Sequence, residues 1–260
     1  FTQDWYLTAG VRHDRYSDFG STTNPRVALV WETAYNLTSK LLYGRAFRPP
    51  SFSELYNINN PVLLGNPNLK PESNESVELA FAWQAASTLQ ANLNLFRYQM
   101  KDILRVDTSV TAQNSGRQHG QGMEVDLVWD ASQSLRLSGN YAQQRSIDEA
   151  TNQDAGNAPR NHVYARADWR FISSWILDTQ LNYVADRKRE PSDTRPVIAD
   201  YMTVDLTLRN QKRSSDWGFA VSVRNLFDAD AREPSPSPGL IPYDLPLAPR
   251  EYRVELSHLF

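Results

Sequence analysis

The sequence predicts an all-β protein: an antiparallel transmembrane β-barrel segment of about twelve strands, with short turns on one side and long loops on the other. Three observations predict it. Apolar and polar residues alternate with a period of two along nearly the whole chain, which is the pattern of strands, not helices. The alternating runs are about nine to thirteen residues long, enough for a tilted strand to cross a bilayer and longer than the ~5–6 residues usual in globular sheets. The connections alternate between short and long, the asymmetry of outer-membrane barrels.

The first strand, near 3–15, carries Trp5, Leu7, Ala9 and Val11 on one face. The second, near 25–33, carries Val27, Leu29 and Trp31, and the third, near 38–47, ends at a Pro-Pro break. The fourth, near 75–84, sets Val77, Leu79, Phe81 and Trp83 on one face and Ser76, Glu78, Ala80 and Ala82 on the other. The first set is expected to face lipid and the second the lumen. The fifth, near 88–100, opposes Leu89, Ala91, Leu93 and Leu95 to Gln90, Asn92 and Asn94. The sixth, near 121–129, opposes Met123, Val125, Leu127 and Trp129 to Gly122, Glu124 and Asp126. A dry core would not hold two such carboxylates without partners; a water-filled lumen would. Further strands are expected near 134–145, 161–171, 175–186, 200–209, 216–225 and 250–260.

Short connections fall at 33–37, 84–87, 130–134, 171–174 and 210–215, and long ones at 48–74, 101–120, 146–160, 187–199 and 228–249. The long ones collect most of the Pro residues, among them Pro61, Pro191, Pro234 and Pro242, where no ladder donor is lost. Aromatics such as Tyr6, Trp31, Trp83, Trp129, Trp169 and Trp217 sit at strand ends, as in an interfacial belt, although β-propensity alone also favours them.

Composition is consistent with this. The formal net charge of −3 gives no basic footprint for nucleic acid. The absence of Cys excludes disulfides and thiolate metal sites. The mean hydropathy of −0.57 suits a barrel, in which only every second residue faces lipid. The chain starts at Phe1, almost directly on a strand, and reads as a piece of a longer or processed protein.

Two boxes flank the first long connection. One reads Phe47-Arg48-Pro49-Pro50-Ser51 and the other Asn66-Pro67-Asn68-Leu69-Lys70-Pro71-Glu72. In order and spacing the pair resembles the signature of TonB-dependent outer-membrane receptors, with Pro49 standing where that pattern has Ala. Asn225-Leu226-Phe227-Asp228 resembles a further box near the end of such receptors. The alternating Tyr252, Val254, Leu256, His258 and Phe260 resemble the terminal strand of outer-membrane proteins, whose last residue is an assembly signal for the barrel-assembly machinery. The resemblance spans nearly the whole chain. It implies the last twelve or so of about twenty-two strands, with the plug domain and first strands outside this chain. It implies a receptor in the outer membrane of a Gram-negative bacterium, taking up a scarce nutrient, foremost a ferric siderophore. It also implies membrane lipid, lipopolysaccharide and, through a missing N-terminal region, the TonB complex as partners. A passive porin and a barrel enzyme are the alternatives.

No catalytic or metal-binding motif and no cofactor site is visible. His13, His119, His162 and His258 are scattered, and no His-Glu-x-x-His, phosphate loop or nucleophile elbow occurs. The family's haem receptors carry a His between the two boxes; here there is none. Positive charge is mostly Arg, whose planar fork suits carboxylates and other anions. Arg48, Arg105, Arg117, Arg187 and Arg189 on the long-loop side, with Tyr56 and Asn57, are therefore the candidate ligand-binding residues.

Overall fold

The structure is a computed structural model and describes residues 4–106, 109–191, 193–210, 217–235 and 241–258. Its elements are β1 (Trp5–Tyr16), β2 (Gly20–Ala34), β3 (Leu37–Arg48), α1 (Phe52–Tyr56), β4 (Glu72–Ala86), β5 (Leu89–Val106), β6 (Ala112–Ser132) and β7 (Leu135–Asp148). They continue with β8 (Gln153–Asp154), β9 (Pro159–Ile172), β10 (Trp175–Arg187), β11 (Tyr201–Asn210), β12 (Trp217–Arg224), β13 (Arg232–Glu233), β14 (Leu245–Pro246) and β15 (Glu251–His258). The long strands hydrogen-bond in the order β1-β2-β3-β4-β5-β6-β7-β9-β10-β11-β12-β15. This is a meander of sequential neighbours, so β1 and β15 lie at the two edges of the sheet. The chain divides into two compact units, one of Phe1–Phe81, Asn94–Gly122 and Arg145–Ala155, the other of Ala82–Leu93, Met123–Gln144 and Gly156–Phe260.

In the first unit the register fixes the faces. Trp5 opposes Trp31 and Leu7 opposes Leu29 across β1 and β2, while Leu29 opposes Leu41 and Val27 opposes Tyr43 across β2 and β3. Trp5 and Trp31 stack with centroids 5.3 Å apart. This apolar face is uncovered: Leu7 is 56% and Val11 71% exposed. A water-soluble domain rarely leaves so continuous an apolar surface open, whereas lipid covers it at no cost. The sequence places the start of β2 near Pro25; the strand instead begins at Gly20. Pro25 is tolerated because the β2–β3 ladder ends at Arg26↔Gly44, so its missing N–H breaks no bond on that side.

The largest departure from expectation is the connection 101–120. Strand β5 continues through Val106 and β6 begins at Ala112, so most of the expected connection is strand. The segment holds no Pro and is rich in β-branched residues (Ile103, Val106, Val110, Thr111), so nothing stops the ladder beyond the bilayer. Asp102 sits at φ 56. This left-handed residue shifts the side-chain alternation of β5 by one. Below it Tyr98 meets Ser146, and above it Arg105 meets Asp148, so both reach the same face of β7. The connection 48–74 carries the five-residue α1. Leu55, Leu69 and Ala112 form a small buried cluster there, with Phe19, Leu63 and Leu104 packed against it.

In the second unit, the face of β9 and β10 opposite the apolar one is a polar ladder. The His162 and Asn182 side chains meet at 2.6 Å, Tyr164 donates to Gln180 at 3.2 Å, and Arg166 Nε donates to Asp178 at 2.6 Å. Asp178 is 4% exposed, a carboxylate held by Arg166 and Gln180. This is the hydrophilic wall the alternation foretells. The buried cluster here is Val184, Tyr201 and Ala231.

Candidate ligand-facing site

The two sequence boxes meet in the first unit and build a clasp. Ser51 caps α1: its hydroxyl accepts from the Glu54 N–H at 3.2 Å, and the Ser51 N–H donates to Glu54 Oε2 at 2.7 Å. This reciprocal box satisfies two otherwise orphaned donors. Pro49 and Pro50 end β3 because neither supplies an N–H. Arg48 then forks onto Glu72, with Nε to Oε2 at 2.8 Å and a terminal nitrogen to Oε1 at 2.9 Å, and also reaches both oxygens of Glu54. Glu72 further accepts the Leu104 N–H at 2.6 Å. The Glu54 carboxyl is pushed up by burial, but Arg48 and Ser51 outweigh this and hold it below the usual carboxylate range.

The second box closes the clasp. The Asn66 amide donates to the Ala112 carbonyl at 3.1 Å, and its oxygen accepts from the Asn68 N–H at 3.0 Å. Pro67 follows Asn66 in this turn, and Leu69 is 3% exposed in the buried cluster. Gly65 lies so close to the end of α1 that an added Cβ would stand 2.5 Å from the Asn57 nitrogen. Asn57 donates its N–H to the Ser53 carbonyl and accepts from the Gly65 N–H at 2.7 Å. What the clasp leaves free is aromatic: Phe52 is 74% and Tyr56 49% exposed, with ring centroids 6.3 Å apart. Phe47, at the end of β3, lies edge-on to Tyr16 at 6.2 Å.

Beside the clasp, Tyr98 on β5, Gln118 on β6 and Ser146 on β7 meet through hydrogen bonds, Tyr98 to Ser146 at 2.8 Å. The Tyr98 ring packs over Gly120, where a Cβ would come within 2.5 Å of it. Arg105 on the same face pairs with Asp148, whose side chain is 4% exposed. Arg117 is exposed on the opposite face, next to Gln118, with no ion-pair partner among the described residues.

In the second unit, Arg187 is 7% exposed and pairs with Glu233, which also accepts from the Tyr201 hydroxyl at 2.9 Å. Arg189 forks onto Asp244 at 2.8 and 2.5 Å and bonds the Pro196 carbonyl at 2.6 Å. Arg195 bonds Asp193 at 2.6 Å and the Ser235 carbonyl at 3.1 Å. Arg195 holds the Asp193 carboxyl down to about 2, and Arg189 holds Asp244 below the usual range. These bonds join the 187–199 and 228–249 connections.

The Asn225 box is also a tie. Asn225 sits at φ 47 and is 4% exposed. Its side chain donates to the Ala229 carbonyl and accepts from the Ala229 N–H, both at 2.9 Å, while its own N–H donates to Asp205 at 2.8 Å. The Leu226 N–H donates to the Val204 carbonyl at 2.8 Å, and Asp228 accepts from the Arg250 N–H at 2.9 Å, setting the start of β15. Phe227 is 66% exposed. Phe260 lies outside the described residues.

The candidate arginines therefore fall into separate groups. Arg48, Arg105, Arg187 and Arg189 each face a carboxylate, and Arg117 faces none among the described residues. Sequence reasoning passed over the acceptors, Glu72, Asp148, Glu233 and Asp244, and the exposed Phe52. Glu72 closes the second box, so its place was the one available signal.

Residues 1–226 match the family profile described as TonB dependent receptor-like, beta-barrel. The chain belongs to the TonB-dependent receptor family. It is a β-barrel portion of such a receptor, in the outer membrane of a Gram-negative bacterium. The family is one of transport receptors. Among curated relatives, the metal-pseudopaline receptor CntO of Pseudomonas aeruginosa is 25% identical over 253 residues, covering 88% of this chain and 35% of that protein. The vitamin B12 transporter BtuB of Vibrio cholerae is 30% identical over 208 residues, covering 78% of this chain and 32% of that protein. Among solved structures, the ferric enterobactin receptor PfeA of Pseudomonas aeruginosa superposes with a TM-score of 0.83 at 19% identity, covering all of this chain and 43% of that one. The chain spans about a third of the length of these curated relatives.

Proposed function

We propose that the receptor carrying this chain takes up a ferric siderophore across the outer membrane, driven by the TonB complex of the inner membrane. This chain supplies wall, outer loops and part of the ligand vestibule; the plug and the first strands come from the rest of the receptor. It acts by binding and release and performs no chemistry on its cargo. The observation that carries the reading is the clasped α1, which holds Phe52 and Tyr56 exposed on a braced support. Paired aromatic faces suit the planar rings of a catecholate iron complex. The likeness in fold to ferric enterobactin and other siderophore receptors supports it. Asn57, at the end of α1, flanks this region as a polar contact. A second reading, corrinoid uptake, is favoured by the 30% identity to BtuB.

The test is uptake by cells deleted for the receptor and complemented with it, given labelled ferric tricatecholate, metal–pseudopaline or cobalamin. TonB-dependent accumulation from ferric tricatecholate, weakened by Phe52→Ala, is expected. TonB-dependent accumulation of cobalamin alone selects the second reading. Accumulation without TonB sinks both and restores the porin alternative.

A further inference from the structure

The polar ladder of the second unit runs down the inner wall and ends in a groove. At its long-loop end His162 meets Asn182, and one step lower Tyr164 donates to Gln180. Gln180 donates onward to Asp178 at 2.8 Å, and Arg166 bonds Asp178 at 2.6 Å and Asp168 at 3.0 Å. Down to this level the wall spends its hydrogen bonds on itself. The register then sets Arg136 opposite Asp168, Asp168 opposite Asp178, and Arg209 opposite Ile176, two residues before Asp178. Arg136 and Arg209 therefore share this face, at its short-turn end. The pairing changes there. Arg136 lies 3.7 Å from Asp130 and Arg209 3.6 Å from Asp168, and both guanidiniums are about half exposed. At these distances the charges attract but no hydrogen bond forms. Neither guanidinium donates a hydrogen bond to any of the described residues. A groove of about 270 Å³ opens between them, lined also by Ser134, Asp168 and Ile176.

Two arginines with unspent donors at the periplasmic mouth suit an anion on its way out. We propose that this groove is an exit subsite for the anionic iron chelate, with Arg136 and Arg209 as the residues that hold it. The subsite deepens the siderophore reading and rests on it. A ferric tricatecholate carries its negative charge on ring oxygens, and the guanidinium fork takes two such oxygens at once. Charge that has left bulk water needs compensating donors along its path. The ladder above presents a hydrophilic wall whose donors are already engaged, so the loosely held arginines come last. Asp130 and Asp168 keep each guanidinium in place between passages. That arrangement suits a ligand that comes and goes. A permanent acidic partner would instead crowd its carboxylates against Asp130 and Asp168, like charge against like.

The experiment uses cells carrying the full-length receptor and labelled ferric tricatecholate. Surface binding is read in cells lacking TonB, uptake in cells that have it, and folding by heat-modifiable mobility. In the receptor with both Arg136→Gln and Arg209→Gln, surface affinity is expected to match wild type. Its maximal uptake rate should fall about tenfold, as the loss of one hydrogen bond to a charged group implies. The receptor with both Arg136→Lys and Arg209→Lys keeps part of the rate, because it keeps the charge and loses only the fork. If the double Gln receptor fails to fold, Arg209→Gln alone gives the same reading with a smaller loss. An unchanged uptake rate in a folded Gln receptor overturns the proposal. So does an equal loss in the Lys receptor. Entry of a large antibiotic in the absence of cargo also overturns it, because the arginines would then be anchors for the plug. Uptake of cobalamin alone, with no surface binding of ferric tricatecholate by wild type, removes the siderophore reading and this subsite with it.

Discussion

Removing the Glu72 carboxylate tests whether the two boxes act as a clasp. Its side chain is 10% exposed and accepts three hydrogen bonds, two from Arg48 at 2.8 and 2.9 Å and one from the Leu104 N–H at 2.6 Å. In Glu72→Ala the Leu104 N–H loses a charged acceptor, a loss of about 1.5–3 kcal/mol. Arg48 is 48% exposed and keeps Glu54, so its share is solvent-screened to about 0–1 kcal/mol. The clasp should therefore loosen by about 2–3 kcal/mol, or roughly 30- to 150-fold in its opening equilibrium. Hydrogen exchange on the full-length receptor reads this directly. The amides of Leu104, Leu55, Asn57 and Gly65 should lose protection together, while those of β10 hold theirs. Glu72→Gln keeps an acceptor for Leu104 and should lose only part of the effect. Unchanged exchange at Leu104 in a folded Glu72→Ala receptor would refute the reasoning.

Two further outcomes are expected. Leu79→Arg should destabilise the receptor by about 2–4 kcal/mol in a bilayer unfolding titration, and Ala80→Arg by much less, because only the first places charge in lipid; equal losses would refute the faces assigned to β4. The acid response of the Arg189–Asp244 and Arg195–Asp193 ties follows from carboxyls held below their unfolded range. Their contribution is complete above the unfolded value of about 4 and fades as pH falls toward the folded value of about 2 for Asp193. Exchange at the Asp193 and Ala231 amides should thus rise, beyond its intrinsic pH dependence, only below about pH 4. A rise centred near neutral pH would count against those ion pairs.

Much of this architecture is legible in the residues because a sheet with one face in lipid and one in water writes its period directly. Val77, Leu79 and Phe81 against Ser76, Glu78 and Ala80 leave one arrangement open. The two boxes were legible as motifs, yet what they do was not. That Glu72 reaches back to Arg48 and across to the Leu104 N–H is a tertiary fact, set by how β3, β4 and β5 lie together. The same holds for Asp148, Glu233 and Asp244: an arginine advertises its charge, but the sequence does not print its partner. The extension of β5 and β6 through 101–120 was missed because polar residues there read as a loop, although no Pro interrupts them. Alternation could not reveal Asp102, whose left-handed backbone shifts the pattern midway.

That single left-handed residue bears on how this part of the receptor can evolve. Below Asp102, one residue more or fewer would exchange Tyr98 with Arg97, carrying a guanidinium into the cluster around Ser146 and a ring outward. Above it, the same change would turn Arg105 away from Asp148. Length variation in β5 is therefore penalised on both sides of Asp102, whereas the hairpin tip beyond Val106 can lengthen or shorten in steps that leave both arms in register. Relatives that differ in cargo should differ in length at that tip and keep the spacing from Arg97 to Arg105.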